Sequence, residues 1–283
     1  MPGDIIVTRE RSHSRRLRTI GSYSLLTAGA VVVLAPVYIT IVNSLLEPSQ
    51  LAHTPPPLFP SAPQWHDYVS AWTSLRTYVS TSAIMTVTIV VAQLLTSILA
   101  AYAFAFLRFP FKRTLFYVCL ATLMIPLEVT FITNLDTVTS LHAYNTYAGL
   151  ALPFLATGFG IFLLRQAFLQ IPKDLQEAAQ LDGYGHLRFL LRVALPLARP
   201  SLAALGVFSF LAAWNQYLWP LVATGGSSPL YTLQLGLKQL DQAPINQLPI
   251  ALSGAVIAFI PLLVLLIVFQ KHLVRSLTAG AVK

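Results

Sequence analysis

Six windows of the chain are each apolar over roughly the 20 residues needed to cross a bilayer core of about 30 Å. They lie near 20–46, 79–107, 114–135, 147–169, 200–222 and 248–270. In lipid such a segment satisfies its own backbone N–H and C=O groups by being helical; the other solution is a closed barrel of alternating ten-residue strands. That alternation is absent, so the chain is expected to be an all-α membrane protein with six transmembrane helices. Composition agrees: 55% of the 283 residues are hydrophobic and 10% are charged, against about 25% charged in a soluble domain.

Lys and Arg orient the bundle. With the amino terminus in the cytoplasm, sixteen of the eighteen fall in inner segments, and only Arg76 and Lys238 fall outside. This bias predicts that both termini are cytoplasmic. The net charge of +8 then reflects topology and contact with anionic membrane lipid, with no nucleic-acid partner implied. Three regions follow: a basic, flexible segment 1–19, a transmembrane domain 20–270 with a cytoplasmic loop 171–199, and a cytoplasmic tail 271–283. The first apolar run is too long for a signal h-region and lacks a small-x-small cleavage site, so it reads as an uncleaved span.

The outer side is less regular. Pro55, Pro56, Pro57, Pro60 and Pro63 favour extended backbone. Trp65, Tyr68 and Trp72, spaced by three and four, predict a short amphipathic helix at the outer interface. The outer connections near 136–146 and 223–247 are polar.

Several chemistries are disfavoured. All six histidines lie outside the apolar windows, where neither an intramembrane metal site nor a Ser-His dyad can use them. The single cysteine, Cys119, excludes an intrachain disulfide. No G-x-x-x-x-G-K-[ST] occurs, so the chain is not expected to hydrolyse ATP itself. No catalytic residue, metal ligand or cofactor is assigned.

The stretch EAAQLDGYGHLRFLLRVALP, 177–196, is the polar exception between two apolar windows. Asp174 and Glu177 have capping-box spacing, and Asp182-Gly183 supplies a left-handed helix stop. A second helix near 186–194 would carry Leu187, Leu190, Leu191 and Ala194 on one side and Arg188 and Arg192 on another, end at Pro196, and lead into a span with Pro200 in its first turn. Adjacent Ala178 and Ala179 allow another backbone to approach closely. From spacing alone, an interfacial amphipathic helix with no partner is the alternative.

Glu177-Ala178-Ala179, three residues, Gly183, nine residues, Val193, one residue, Leu195-Pro196 resembles the EAA loop of ABC importer membrane subunits, with Val where Ile is usual. The resemblance implies a permease subunit in a bacterial inner membrane. It would pair with a homologous permease subunit, two ATPase subunits that hold ATP and Mg, and an extracytoplasmic solute-binding protein. Glu177, Ala178, Ala179, Asp182, Gly183, Leu195 and Pro196 are then the residues that couple to the ATPase. The tail 271–283 would also reach the ATPase, although its basic sequence equally suits a lipid anchor.

The rest of the chain resembles the second membrane subunit of maltose-type carbohydrate importers, on Met124-Ile125-Pro126, Gly149-Leu150-Ala151-Leu152-Pro153 and the Trp214-Asn215 region. MIPLEV, 124–129, and WNQYLWPL, 214–221, are similar to the branch that imports sn-glycerol-3-phosphate and glycerophosphodiesters; Gln216 stands where sugar importers usually have an acid. A sugar importer is the alternative within the class, and an ion-coupled secondary transporter the remote one.

Glu128 lies roughly 21 Å into the third window at 1.5 Å per residue, and Asn215 and Gln216 lie about as far into the fifth. A carboxylate at such depth costs on the order of 3 kcal/mol if exposed to lipid. Glu128 is therefore expected either to line the solute pathway or to bond a neighbouring span. Pro126 should kink the helix beside it. Trp214 and Trp219 are candidates for the pathway too, but such residues more often pack; a carboxylate beside indole faces would suit a quaternary ammonium such as that of glycerophosphocholine. Arg165 is expected to snorkel to lipid phosphate.

Overall fold

The structure, a computed structural model, describes residues 6–225, 229–242, 244 and 247–278, and of 6–18, 20 and 271–278 the backbone alone. The basic side chains of 1–18 and of the tail 271–283, and part of the connection 223–247, lie outside the described residues. Every regular element is helical: α1 (Ile6–Asn43), α2 (Pro48–Leu51), α3 (Trp65–Phe106), α4 (Lys112–Ala121), α5 (Phe131–Ser140), α6 (Tyr147–Ala151), α7 (Gly158–Leu169), α8 (Lys173–Leu181), α9 (His186–Phe189), α10 (Leu195–Leu197), α11 (Arg199–Trp214), α12 (Leu218–Thr224), α13 (Leu233–Asp241) and α14 (Leu248–Thr278).

Three unbroken helical stretches are long and apolar enough to cross a membrane: Gly21–Asn43, Trp65–Phe106 and Leu248–Gln270. Three more are bent pairs, Lys112–Met124 with Leu127–Ser140 (97°), Tyr147–Phe154 with Gly158–Leu169 (50°), and His186–Leu197 with Arg199–Trp214 (79°). The windows at 114–135 and 147–169 are thus not straight spans, and the one at 200–222 is interrupted between Trp214 and Leu218.

Two other expectations change. Helix α1 already begins at Ile6, so the basic segment is continuous with the first apolar helix. Trp65, Tyr68 and Trp72 are the opening turns of α3, a 42-residue helix with no Gly or Pro, and form no separate interfacial helix.

The chain divides into two units. In the smaller, residues 1–71 and 243–256, Ser44 ties three segments: its hydroxyl pairs with Tyr68 OH at 2.6 Å, and its carbonyl accepts from Ser253 Oγ at 3.2 Å. Tyr38 OH donates to Leu58 O at 2.9 Å across the irregular proline-rich loop.

The larger unit, 72–242 and 257–283, is organised on α3. One stripe of that helix is buried: Ser82, Met85, Thr86, Ile89, Ser97 and Ala101. Four of these six are small, which lets neighbouring backbones come close. Ser82 Oγ accepts the Leu233 N–H at 2.8 Å. A cluster around Trp219 joins Met85, Ile89, Val138, Leu150 and Phe154. A second, around Tyr102 and Phe168, receives the segment 179–198, and a third gathers Leu75, Trp214, Leu233 and Ala258.

Candidate functional site

The segment 171–199 is a rigid elbow. Helix α8 starts two residues earlier than the capping-box spacing predicts: Pro172 (φ −56°, ψ 137°) is the N-cap in place of Asp174, and no side chain caps it. Asp174 sits within the first turn, where its charge favours the helix dipole without closing a box. The carboxyl end follows the sequence. Gly183 takes φ +75°, Tyr184 N–H donates to Ala179 O at 2.8 Å, and Gly183 N–H donates to Gln180 O at 3.0 Å. This pair of bonds is a Schellman motif, which fixes the turn direction.

Beyond the turn, α9 passes into a π turn at Leu190–Ala194 and then into α10. Pro196 does not end this helix. The wider π winding accommodates a residue without an N–H, and the break comes at Ala198 (φ −87°, ψ 6°). Pro200 lies in the first turn of α11, as its position predicted.

Burial separates two faces of the elbow. Ala179 (7% exposed), Phe189, Leu190 and Ala194 pack on Tyr102, Phe106 and Phe168. Ala179 therefore serves packing within the chain, and of the two alanines only Ala178 is open to a partner. Leu187 and Leu191, placed on the buried side by periodicity, are exposed, because the π turn rotates the helix face. With Glu177, Ala178, Asp182, Gly183 and Leu181 (90% exposed) they form the outward surface. Val193, Leu195 and Pro196 are half-buried behind it.

Arg165 does not reach toward lipid. Its Nε donates to Phe104 O at 3.3 Å, and its guanidinium lies 4.1 Å from the Phe116 ring centroid. Lys112 Nζ joins it by donating to Leu107 O at 2.8 Å. Two cations thus cap the carboxyl end of α3, where the dipole favours them.

The remaining candidates sit at helix interruptions. Ile125 is extended (φ −89°, ψ 117°) before Pro126, giving a right-angled break rather than a kink, and Glu128 is exposed in the 3₁₀ turn Leu127–Thr130 that follows. Asn215 and Gln216 lie between α11 and α12. Asn215 Oδ1 accepts from Gln234 Nε2 at 3.4 Å, and its amide donates to Leu211 O at 2.9 Å. Gln216 Oε1 is buried without a partner among the described residues. Phe131, three residues beyond Glu128, lies 6.1 Å from the Trp219 ring, which brings the two interruptions into one neighbourhood.

Both indoles are buried. Trp214 (3% exposed) donates from Nε1 to Ala258 O at 3.2 Å and stacks on Phe210 at 5.5 Å. Trp219 (1% exposed) donates to Leu150 O at 3.2 Å and meets Phe154 edge-on. No indole face is left for an ammonium group beside Glu128.

The sequence reading missed a polar relay. Gln93 Nε2 donates to Phe154 O at 2.8 Å while its Oε1 accepts from Ser209 Oγ at 2.6 Å. Thr96 Oγ1 lies 3.0 Å from Leu155 O. These side chains take up the carbonyls freed where α7 breaks from the preceding 3₁₀ turn. A lone Gln in an apolar window was the available signal.

Three continuous apolar helices, three broken ones and a polar elbow are the architecture of a membrane-embedded helical subunit. Residues 93–279 match the family described as binding-protein-dependent transport system inner membrane component. The sn-glycerol-3-phosphate transport system permease protein UgpE of Yersinia pestis bv. Antiqua (strain Antiqua) is 33% identical over 275 residues, covering 93% of this chain and 97% of that one. Its counterpart in Agrobacterium fabrum (strain C58 / ATCC 33970) is 32% identical over the same shares. A chain in the crystal structure of a bacterial ABC transporter involved in the import of the acidic polysaccharide alginate shares the fold, with a TM-score of 0.79 at 23% identity over 91% of this chain and 97% of that chain. The protein belongs to the binding-protein-dependent transport system inner membrane component family: it is an inner-membrane permease subunit of an ABC importer. Membership implies a partner permease, an ATPase and a solute-binding protein.

Proposed function

We propose that the chain is one membrane half of an ATP-driven importer for sn-glycerol-3-phosphate or a glycerophosphodiester such as glycerophosphocholine. The observation that carries the coupling role is the Schellman-locked elbow, with one face anchored on Tyr102 and Phe168 and the other bare. A lever needs both properties: stiffness to transmit displacement and an open surface on which a neighbour can push. The chain has six spans, each bent pair counted as one, with both termini cytoplasmic; the distribution of Lys and Arg supports this. ATP and Mg bind the two ATPase subunits. Their closure moves Glu177, Ala178, Asp182 and Gly183, and Leu195 and Pro196 pass the motion to α11 as a rigid-body rotation.

The substrate class rests on the relatives' names and on two peptides, MIPLEV and WNQYLWPL, which fall at the interruptions after Met124 and Trp214. Glu128, Asn215 and Gln216 are the polar groups there. Among residues 122–131 and 211–224 there is no Lys or Arg, so cations for a phosphate come from the partner permease or the binding protein. The partner permease also covers Met124 (85% exposed), Val129 and Ile132.

Glu177→Lys and Gly183→Pro test the lever. Proline cannot adopt φ +75°, and Lys reverses the charge of an exposed group, so neither change touches the core. Uptake in whole cells should fall by about a hundredfold with an unchanged amount of permease in the membrane. Normal uptake together with normal ATPase copurification in both variants would overturn the assignment.

A further inference from the structure

Beside the elbow, bordering the Tyr102 cluster through Phe106 and His186, lies an open cavity whose basic lining coupling does not explain. Leu107, Arg108, Lys112, Lys173, Glu177 and His186 line it. Four basic side chains from three stretches of chain thus face one carboxylate, and Glu177 forms no ion pair among the described residues.

The cations differ in how they are held. Lys112 is fixed by Leu107 O at 2.8 Å and Ala105 O at 3.4 Å, with the Arg165 guanidinium behind it. His186 Nδ1 is engaged by Tyr102 OH at 3.1 Å, which leaves Nε2 for a ligand. Arg108 and Lys173 are exposed and have no intramolecular partner among the described residues. Lys112 and Lys173 are also the first residues of α4 and α8, where the helix dipole opposes a cation. Such a cluster is electrostatically unfavourable as it stands, and an anion seated in it relieves the repulsion.

We infer that this cavity binds a phosphate-bearing anion, and that the group is the headgroup of an anionic phospholipid. The chemistry fits a phosphate: a guanidinium that can bond two oxygens, an ammonium, and an imidazole nitrogen. The wall points to a lipid. Phe106 and Leu107 continue the apolar end of α3 directly into the basic rim, so an acyl chain lies against the helix while its phosphate reaches Arg108 and Lys173. Basic pockets at the ends of transmembrane helices bind such headgroups in this way. Because Arg108 belongs to the linker after α3 and Lys173 to α8, the lipid braces the elbow against the bundle. Only this mechanical consequence rests on the coupling role proposed above; the binding does not.

The test uses the importer assembled with its partner chains, delipidated in detergent and titrated with phosphatidylglycerol or zwitterionic phosphatidylethanolamine, with retained lipid read by native mass spectrometry. Phosphatidylglycerol should be retained preferentially. Arg108→Gln with Lys173→Gln should weaken retention roughly tenfold or more, whereas Arg113→Gln, an exposed neighbour outside the cavity, should change it less than twofold. Arg108→Lys with Lys173→Arg, which keeps both charges, should retain lipid and serves if the neutral pair fails to assemble. In a lipid-free arm, stabilisation of the wild type by inorganic phosphate, lost in the neutral pair, would keep the site and identify a soluble anion as its source. Equal retention of both lipids, or equal losses from Arg113→Gln and the neutral pair, would overturn the inference. If α8 did not couple to the ATPase at all, lipid retention would be unaffected, so the two failures are distinguishable.

Discussion

Two of the broken spans solve the same problem in opposite ways. Where α7 parts from the turn before it, bending 50°, the carbonyls of Phe154 and Leu155 are taken up by Gln93 and Thr96, and Phe154 is packed against Trp219. Where the chain turns 97° at Ile125-Pro126, the hydrogen bonds are all local, from Thr122 Oγ1 to Cys119 O and from Thr130 Oγ1 to Leu127 O, and the flanking Met124, Val129 and Ile132 are exposed. The first break is closed within the chain and belongs to the scaffold. At the second, no hydrogen bond from another element reaches the joint among the described residues and its flank is bare, so it is the one a partner or a solute can act on.

The closed break should be the fragile one. A Cβ at Gly158, the first residue of α7, would collide with the Cys119 carbonyl and meet Thr122 Oγ1 at 2.9 Å. A backbone atom cannot swing aside, so Gly158→Val should reach the upper end of the overpacking range, about 3 kcal/mol. Thermal melts of the detergent-purified chain, followed by size-exclusion fluorescence, should show the largest loss of the series. A near-normal melt would mean that this joint is looser than its geometry.

Gln93→Leu is next. It removes the bond to Phe154 O and strands the Ser209 hydroxyl, leaving two polar groups in an apolar surrounding. The loss should be about 2 kcal/mol, or roughly 4–8 °C in the melting temperature of a chain this size. Gln93→Glu, which keeps an acceptor for Ser209 but cannot donate to Phe154, separates the two bonds: if it melts like the wild type, the Phe154 carbonyl was not the group that mattered.

The same contrast explains what the sequence could convey. Local rules read correctly where one residue decides the outcome: Gly183 needs positive φ and Pro200 opens α11, while Pro126 interrupts the helix as expected but with a 97° break in place of a kink. They read wrongly where a neighbour decides. Asp174 looked like an N-cap, but Pro172 with its fixed φ starts α8 first. Pro196 looked like a stop, but a π turn upstream makes room for it. The aromatic spacing from Trp65 to Trp72 suggests a separate helix, but no Gly or Pro breaks the chain up to Phe106, and the turn continues into α3. Arg165 looked free to snorkel, yet the carbonyl of Phe104 and the face of Phe116 are brought to it by tertiary packing. The tryptophans pack, the reading their residue type favours, but the carbonyls of Ala258 and Leu150 that receive their indole N–H groups are brought to them by tertiary packing.

Pro126→Ala gives the smallest expected change in stability and the sharpest test of the contrast. Alanine restores an N–H and lifts the restriction that holds Ile125 extended, so the arms Lys112–Met124 and Leu127–Ser140 become free to straighten. The joint at Ile125-Pro126 itself receives no hydrogen bond from another element among the described residues, and the isolated chain should therefore melt within about 0.5 kcal/mol of the wild type, the range of substitutions far from special features. Uptake should nevertheless fall, by roughly threefold or more, because a straightened segment withdraws Glu128 and the exposed apolar face from whatever they meet in the assembled importer. A melt lowered as far as that of Gln93→Leu would place the energy of this bend inside the chain, and the distinction between a scaffold break and an open one would fail. Unchanged uptake with an unchanged melt would do different damage: the bend would then be a consequence of Pro126 that transport does not use.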